Sequence, residues 1–110
     1  MQGLDWDGAV KDIKGACDYL KSVGCTKVGI LGFCMGGALT IASICRYEAF
    51  SAAAPFYGIP DLKYNDVGKI KCPVYAYFAE KDEAKGFSDP ESAKNLEKLC
   101  KEKKIDFTLK

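Results

Sequence analysis

The feature that most constrains this chain is the segment 28–39, whose sequence is VGILGFCMGGAL. An apolar run ends in Gly-x-Cys-x-Gly, and a second apolar run with helical spacing follows at residues 38–44. This order predicts a strand, a tight turn and a helix. Gly32 and Gly36, on either side of Cys34, lack the Cβ atoms that would keep the two elements apart. The turn can therefore push the Cys34 side chain outward.

The predicted turn gives Cys34 the surroundings of a reactive thiol. At the N-terminus of the following helix, unpaired N–H groups and the positive end of the helix dipole favour a thiolate. The same geometry directs the backbone N–H of Met35 toward an oxyanion that forms beside Cys34. The segment thus predicts a nucleophile, a means of activating it and one donor of an oxyanion hole.

Other kinds of site also place small residues between a strand and a helix. The glycines of this segment do not match the Gly-x-Gly-x-x-Gly spacing of dinucleotide sites, and no Lys-Ser/Thr pair follows Gly37 as in a P-loop. Two alternatives stay open for Cys34: a small buried residue that only packs, and a redox-sensing thiol.

Length and charge narrow the class of protein. We expect residues 1–110 to form a single domain, since 110 residues allow one at most. A formal net charge of +1 gives no reason to expect nucleic acid or an anionic membrane as a partner. No run approaches the roughly 20 apolar residues that cross a bilayer, and a signal-peptide core is absent, so a cytoplasmic location is predicted.

The cysteine and histidine counts bear on chemistry. The six cysteines include no Cys-x-x-Cys pair and follow no secretory signal, so neither disulfides nor a zinc site is expected. Neither a metal nor another cofactor is predicted, and five of the six cysteines are expected to be packing residues. The chain contains no histidine, which is the side chain best suited to act as general base near pH 7.

Apolar spacing predicts the other elements. A helix is expected over residues 5–23, with Asp5 or Asp7 as N-cap and Gly24 just after its end. Further elements are predicted as strands at 27–33, 50–57, 74–79 and 105–109, and as helices at 38–47 and after Ser88 or Asp89. The nearly continuous apolar strands predict an α/β fold, with a parallel sheet covered by helices on both faces in three αβα layers.

Two further site candidates lie where predicted strands end. Ligands gather beyond the carboxyl ends of parallel strands, so Phe56 and Tyr57 are expected to line a pocket with Cys34, and Tyr57 is a candidate substrate-binding residue. The run 80–83 directly follows the third strand. It is either a solvated charged turn or the source of a carboxylate, such as that of Asp82, that orients a catalytic base.

Three short motifs carry a resemblance to a known family. GFCMGG at 32–37, APFYG at 54–58 and FAEKD at 78–82 resemble the dienelactone hydrolase (carboxymethylenebutenolidase) family of the α/β-hydrolase fold. The resemblance implies that Cys34 is the nucleophile, Asp82 the acid of the triad and the Met35 N–H an oxyanion donor. It also implies that the substrate is a small carboxylate-bearing ester or lactone.

The sequence departs from the family in two places. The family's histidine follows the strand that corresponds to residues 105–109, and its first strands carry the second oxyanion donor and groups that bind the substrate carboxylate; neither has a counterpart here. We therefore expect a partial α/β-hydrolase fold that is an internal part of such an enzyme. General-base help is worth roughly 10²–10⁴-fold, so at best trace hydrolysis is predicted.

The missing strands also predict a surface property. A parallel sheet that lacks strands has an apolar edge with unpaired backbone groups, so we expect self-association through an exposed sheet edge. The alternative function is a non-catalytic remnant of the same fold that binds a ligand or a partner.

Overall fold

The computed structural model describes residues 5–79 and 88–110. These residues form, in chain order, helix α1 (Trp6–Ser22), strand β1 (Gly29–Phe33), helix α2 (Met35–Arg46), strand β2 (Ala52–Phe56), a 3₁₀ turn (Val67–Lys69), strand β3 (Val74–Ala76), helix α3 (Pro90–Glu102) and strand β4 (Phe107–Leu109). The predicted order of elements and the α/β class are both confirmed.

The four strands form one parallel sheet in the order β1-β2-β3-β4. The register is longest between β1 and β2, where five residue pairs run from Gly29 opposite Ala52 to Phe33 opposite Phe56. Because consecutive strands are neighbours and all run the same way, their carboxyl ends lie together at one end of the sheet. The turn after β1 and the loop after β2 meet at this carboxyl end.

The helices begin and end where the sequence supplies caps. The Asp5 carboxylate accepts a hydrogen bond from the Gly8 N–H and starts α1, and Gly24 follows its end with a φ of 111°. Asp89 caps α3 by accepting a hydrogen bond from the Ser92 N–H, with Pro90 in the first turn. Of the open alternatives, Asp5 is therefore the cap of α1 and Asp89 that of α3.

The hydrophobic core lies on one face of the sheet. It combines Cys17 of α1, Ile41 and Ile44 of α2, and Leu96 and Cys100 of α3 with residues of the strands. The strand residues in this core are Ala53, Val74, Ala76 and Phe107. Helix α2 packs directly on β1 and β2, α1 packs on α2, and α3 packs beside β4.

The opposite face of the sheet is open in the described part of the chain. Leu31 is 64% exposed and Phe33 is 54% exposed, and Tyr75 of β3 points the same way. The expected three layers, with helices on both faces, are therefore present as two layers in residues 5–79 and 88–110. The long apolar runs predicted burial on both faces, but apolar composition does not say whether a second layer is present.

Several element boundaries differ from their predicted positions. Helix α2 begins at Met35 and not at Ala38, because the carbonyl of Cys34 already accepts the N–H groups of Gly37 and Ala38. Each strand is shorter than its apolar run, since pairing with a neighbour ends before the apolar residues do. Tyr77 still makes an isolated parallel bridge to Phe56 beyond the end of β3.

Candidate active site

Cys34 occupies a strained turn between β1 and α2. Its φ of 59° and ψ of −119° are rare for a residue with a side chain and cost roughly 1–3 kcal/mol, so neighbouring groups must hold this conformation. Three backbone bonds do so: the Cys34 N–H donates to Phe56 O at 3.0 Å, and Cys34 O accepts from Gly37 N at 3.0 Å and Ala38 N at 3.3 Å. The residue is exposed, so its thiol is open to solvent.

Gly32 and Gly36, on either side of the turn, differ in how much space surrounds them. A Cβ on Gly32 would lie 2.2 Å from Gly36 O and 2.9 Å from Thr40 Oγ1, which confirms that β1 and α2 pass too closely for a side chain there. A Cβ on Gly36 would meet nothing within 4 Å. The prediction that Gly36 must lack a side chain is therefore wrong, because its Cβ would point away from the strand.

Two other glycines, which sequence reasoning missed, provide close contacts at the turn. A Cβ on Gly37 would lie 2.4 Å from Phe56 O, so this glycine lets α2 rest on β2. A Cβ on Gly58 would lie 2.0 Å from Cys34 O. The doubled glycine at 36–37 and the glycine just after a strand end were the available signals, but spacing alone did not say which glycine faces which backbone.

Met35 is the first residue of α2, and its N–H therefore has no carbonyl partner within the helix. The first turn of α2 carries no acidic side chain, so the positive end of the helix dipole is not offset within that turn. The N–H of Met35 directly follows the peptide carbonyl of Cys34. The geometry is that of a helix N-terminus next to an exposed thiol.

Tyr57 lies at the end of β2, beside the turn. Its φ is 36°, its N–H donates to Tyr77 O at 2.7 Å, and its side chain is 39% exposed. Its ring centroid is 6.5 Å from that of Phe33. The structure thus brings Cys34, Met35 and Tyr57 together at the carboxyl end of the sheet.

A row of aromatic rings extends from the carboxyl end of the strands across the open face of the sheet. The ring of Phe56 lies between those of Phe33 and Tyr77, with centroid distances of 4.7 Å and 4.5 Å, and it stacks on Tyr77 at 13°. Phe56 therefore contributes to an aromatic row on the open face, next to the turn that carries Cys34. The predicted acid, Asp82, lies outside the described residues.

The remaining cysteines separate into buried and exposed thiols. Burial raises the pKa of Cys45 to about 12 and that of Cys100 to about 11, and it also raises the pKa of Cys72. Cys17 is buried as well, whereas Cys25 is exposed after α1. The expectation of five packing cysteines is therefore wrong for Cys25. Its position after the helix end gives it no core to join.

Two cavities lined by described residues lie at the other end of α2. They have volumes of about 550 and 340 Å³ and share Cys45, Arg46 and Lys69. Neither includes Cys34 or Tyr57, so the expected pocket shared by these residues and Phe56 is not one of them. Cys45 is ten residues along α2 from Met35, or about 15 Å.

Two features are absent from residues 5–79 and 88–110, a metal-ligand cluster and a membrane-spanning helix. No group of three or more potential metal ligands is placed to hold an ion. No helix in this part of the chain is long and apolar enough to cross a membrane.

The chain is similar in sequence to a known protein family and to several known proteins. The model of the dienelactone hydrolase family matches residues 1–110. A putative carboxymethylenebutenolidase of Aquifex aeolicus is 45% identical over 58 residues, which are 52% of this chain and 25% of that protein. Protein usf of Aquifex pyrophilus is 39% identical over 74 residues, which are 64% of this chain and 32% of that protein.

A vertebrate relative aligns over more of the chain. The carboxymethylenebutenolidase homolog of Xenopus tropicalis is 32% identical over 104 residues, which are 91% of this chain and 40% of that protein. The chain thus spans between a quarter and two fifths of the length of these three relatives.

Proposed function

Since the chain belongs to the dienelactone hydrolase family, we propose that it carries the nucleophile site of a cysteine-dependent ester or lactone hydrolase. The observation that supports this most directly is the exposed Cys34 at a φ of 59°, immediately before the N-terminus of α2. A strained conformation that neighbouring hydrogen bonds maintain, at a strand end, is typical of a nucleophile turn.

The proposed first step is acylation of Cys34. The thiolate attacks the carbonyl carbon, a bond from Sγ to carbon forms, and the electron pair of the C=O bond moves to oxygen. The Met35 N–H donates a hydrogen bond to this oxyanion. When the intermediate collapses, the C–O bond to the alcohol breaks and the leaving oxygen takes up a proton from solvent. Water then hydrolyses the thioester and restores the thiol.

Hydrolysis of the thioester, the second half of the reaction, needs a general base, and this chain supplies only part of the proposed triad. In the proposed triad, Asp82 orients a histidine, and the 110 residues contain none. We therefore propose that acylation outpaces deacylation, and that turnover by this chain is slow. General-base catalysis typically contributes about 10²–10⁴-fold, which sets the expected size of the deficit.

The proposed substrate is a small ester or lactone, in keeping with the carboxymethylenebutenolidase names of the relatives. Tyr57 is the proposed substrate-binding residue, because it stands at the strand end beside Cys34 and is partly exposed. A cytoplasmic location belongs to the same proposal. All six cysteines are free thiols, which suits a reducing compartment.

The test is acetylation by p-nitrophenyl acetate, with the acetyl group located by mass spectrometry. Cys25 serves as a reference thiol in the same molecule, because it is also exposed. We expect Cys34 to be acetylated at least about tenfold faster than Cys25, since one oxyanion donor can contribute 10²-fold or more. Release of p-nitrophenol should then slow after one equivalent.

A second measurement tests whether an added base can replace the histidine that the chain lacks. Imidazole added to the wild-type chain should accelerate turnover, while the Cys34→Ser variant should show only the background reaction with imidazole itself. Equal acetylation of Cys34 and Cys25 would contradict the proposal. Turnover that imidazole does not change would contradict the assignment of deacylation as the slow step.

A second candidate function is self-association. It is favoured by the open sheet face with Leu31 and Phe33, and by β1, which has a strand neighbour on one side only in the described sheet. The five residues of β1 include no charge. Exposed apolar edges of this kind pair readily with another chain. We propose a second copy of this chain as the partner.

A further inference from the structure

We infer that Gly58, in the loop after β2, is a positioning residue that fixes the direction of the Met35 N–H. The inference rests on the proposed function, because it concerns the oxyanion donor of that site. Gly58 is buried and lies against the backbone of the turn that carries Cys34.

The contact of Gly58 is with one particular peptide unit. A Cβ at this position would lie 2.0 Å from Cys34 O, 3.1 Å from Cys34 C and 2.8 Å from Ala38 N. All three are backbone atoms, which cannot turn aside as the end of a flexible side chain can. The φ of Gly58 lies outside the left-handed region, so glycine is required here for space and not for backbone conformation.

The peptide unit that Gly58 touches also contains the proposed oxyanion donor. A peptide bond is planar, so the Cys34 carbonyl and the Met35 N–H move together and point in opposite directions. The carbonyl accepts hydrogen bonds from Gly37 and Ala38, which holds this plane on the side of α2. Gly58 packs against the same carbonyl, and these contacts together set where the Met35 N–H points.

The segment that carries Gly58 is itself held firmly. Tyr57 has a φ of 36°, and its N–H donates to Tyr77 O at 2.7 Å, while the Tyr77 N–H donates to Pro55 O at 3.0 Å. These bonds tie the end of β2 to the residue beyond β3. The loop cannot easily yield, so a side chain at position 58 should displace the Cys34–Met35 peptide.

The test compares two reactions of Cys34 in the Gly58→Ala variant. Acetylation by p-nitrophenyl acetate passes through an oxyanion, whereas alkylation by iodoacetamide displaces iodide from a saturated carbon and forms none. A shift of about 1 Å in a catalytic group can cost about 10²-fold. We expect acetylation of Cys34, relative to Cys25, to fall by about 10–100-fold, with relative alkylation unchanged.

Gly36→Ala is the matched control, because it adds a Cβ in the same turn where nothing lies within 4 Å. It should leave both reactions unchanged. The four buried thiols, Cys17, Cys45, Cys72 and Cys100, report folding, since their labelling would reveal an unfolded variant.

A second pair of variants covers the case in which Gly58→Ala unfolds. Tyr57→Gly and Tyr57→Ala both remove the ring, but alanine, unlike glycine, is strained at the φ of 36° that positions Gly58. The loop should therefore shift in Tyr57→Ala and not in Tyr57→Gly, so we expect acetylation of Cys34 to be slower in Tyr57→Ala than in Tyr57→Gly, with equal alkylation.

The outcomes separate this inference from the function on which it rests. If Cys34 has no acetylation advantage in the wild-type chain, the proposed function fails and the inference fails with it. If the wild-type advantage exists and folded Gly58→Ala keeps it, or the two Tyr57 variants acetylate equally, the inference alone is overturned.

Discussion

Two buried hydroxyl groups in α2 illustrate how single residues contribute to this fold. Thr40 donates a hydrogen bond to Gly36 O at 2.8 Å, close to the point where Gly32 passes the helix. The Ser43 hydroxyl is fully buried and has no hydrogen-bond partner among the described residues. Since an unpaired buried polar group costs free energy, the two hydroxyls should respond oppositely to removal.

We expect Ser43→Ala to raise the free energy of unfolding by about 1 kcal/mol, because it removes the unpaired hydroxyl and favours the helix. Thr40→Val, which keeps the shape of the side chain, should lower it by about 1 kcal/mol. Urea unfolding of both variants measures the difference. A loss of stability in Ser43→Ala would show that its hydroxyl has a partner.

The buried thiols make stability depend on alkaline pH. Burial, reinforced by neighbours that include Cys100 and Asp66, raises the pKa of Cys45 from 9.0 to about 12. The folded chain therefore keeps a proton that the unfolded chain releases. The contribution is fully present below pH 9.0 and is lost as the pH rises toward about 12.

Because of Cys45, we expect the free energy of unfolding to fall by about 1.4 kcal/mol for each pH unit above the pKa that this thiol has in the unfolded chain. Urea unfolding between about pH 8 and pH 10 measures this slope, and Cys45→Ala should reduce it. Cys25→Ala is the control, since Cys25 is exposed and its removal should leave the slope unchanged. Identical slopes in wild type and Cys45→Ala would refute the prediction.

At the scale of elements, the arrangement of α2 on the sheet depends on close backbone contacts. Gly32 lets β1 pass the first turn of α2, Gly37 lets α2 rest on Phe56 of β2, and Gly58 brings the following loop against the same turn. These three glycines thus bring backbone segments close together around the strained turn at Cys34. A Cβ at any of these three glycines would separate elements, whereas one at Gly15 or Gly36 would meet nothing within 4 Å.

We expect Gly37→Ala to destabilise the fold by roughly 1–3 kcal/mol, because its Cβ would lie 2.4 Å from Phe56 O and force α2 away from β2. Gly15→Ala in α1 is the matched control, since a Cβ there meets nothing within 4 Å. It should stabilise by about 0.5–1 kcal/mol through helix propensity. Thermal or urea unfolding measures both, and equal effects would contradict the packing argument.

For the whole molecule, the described chain has one covered and one open sheet face. The open face presents Leu31, Phe33 and Tyr75, and the uncharged strand β1 forms one edge of the described sheet. The other edge strand, β4, has three residues and lies between Asp106 and Lys110, charges of the kind that discourage pairing. Association should therefore involve the side of β1 more than that of β4.

We expect the wild-type chain to self-associate at micromolar concentration, and Leu31→Lys to weaken this association. Leu31 is already exposed, so the substitution should change the stability of one copy little. Val23→Lys adds the same charge at another exposed apolar position, after α1, and should leave association unchanged. Sedimentation velocity measures all three chains, and a monomeric wild type would refute the prediction.

The order of elements, the parallel α/β class and the family could all be predicted from local sequence patterns. Helix spacing, caps such as Asp5 and Asp89, and the Gly-x-Cys-x-Gly turn are local signals that a chain carries before it folds. The same local signals indicated Cys34, Met35 and Tyr57 as residues at strand or helix ends. The roles of these residues in chemistry, and that of Asp82, stay predictions.

The pairs of backbone segments that contact one another are seen only in the folded chain. Gly36 and Gly58 look equally suited to close packing in the sequence, yet Gly58 touches the Cys34 carbonyl and Gly36 faces open space. The sequence also did not show that the described helices form one layer or that Cys25 is exposed, because the apolar character of a residue says that it favours burial but not whether another element covers it. Close contacts join residues far apart in the chain, and no local pattern encodes them.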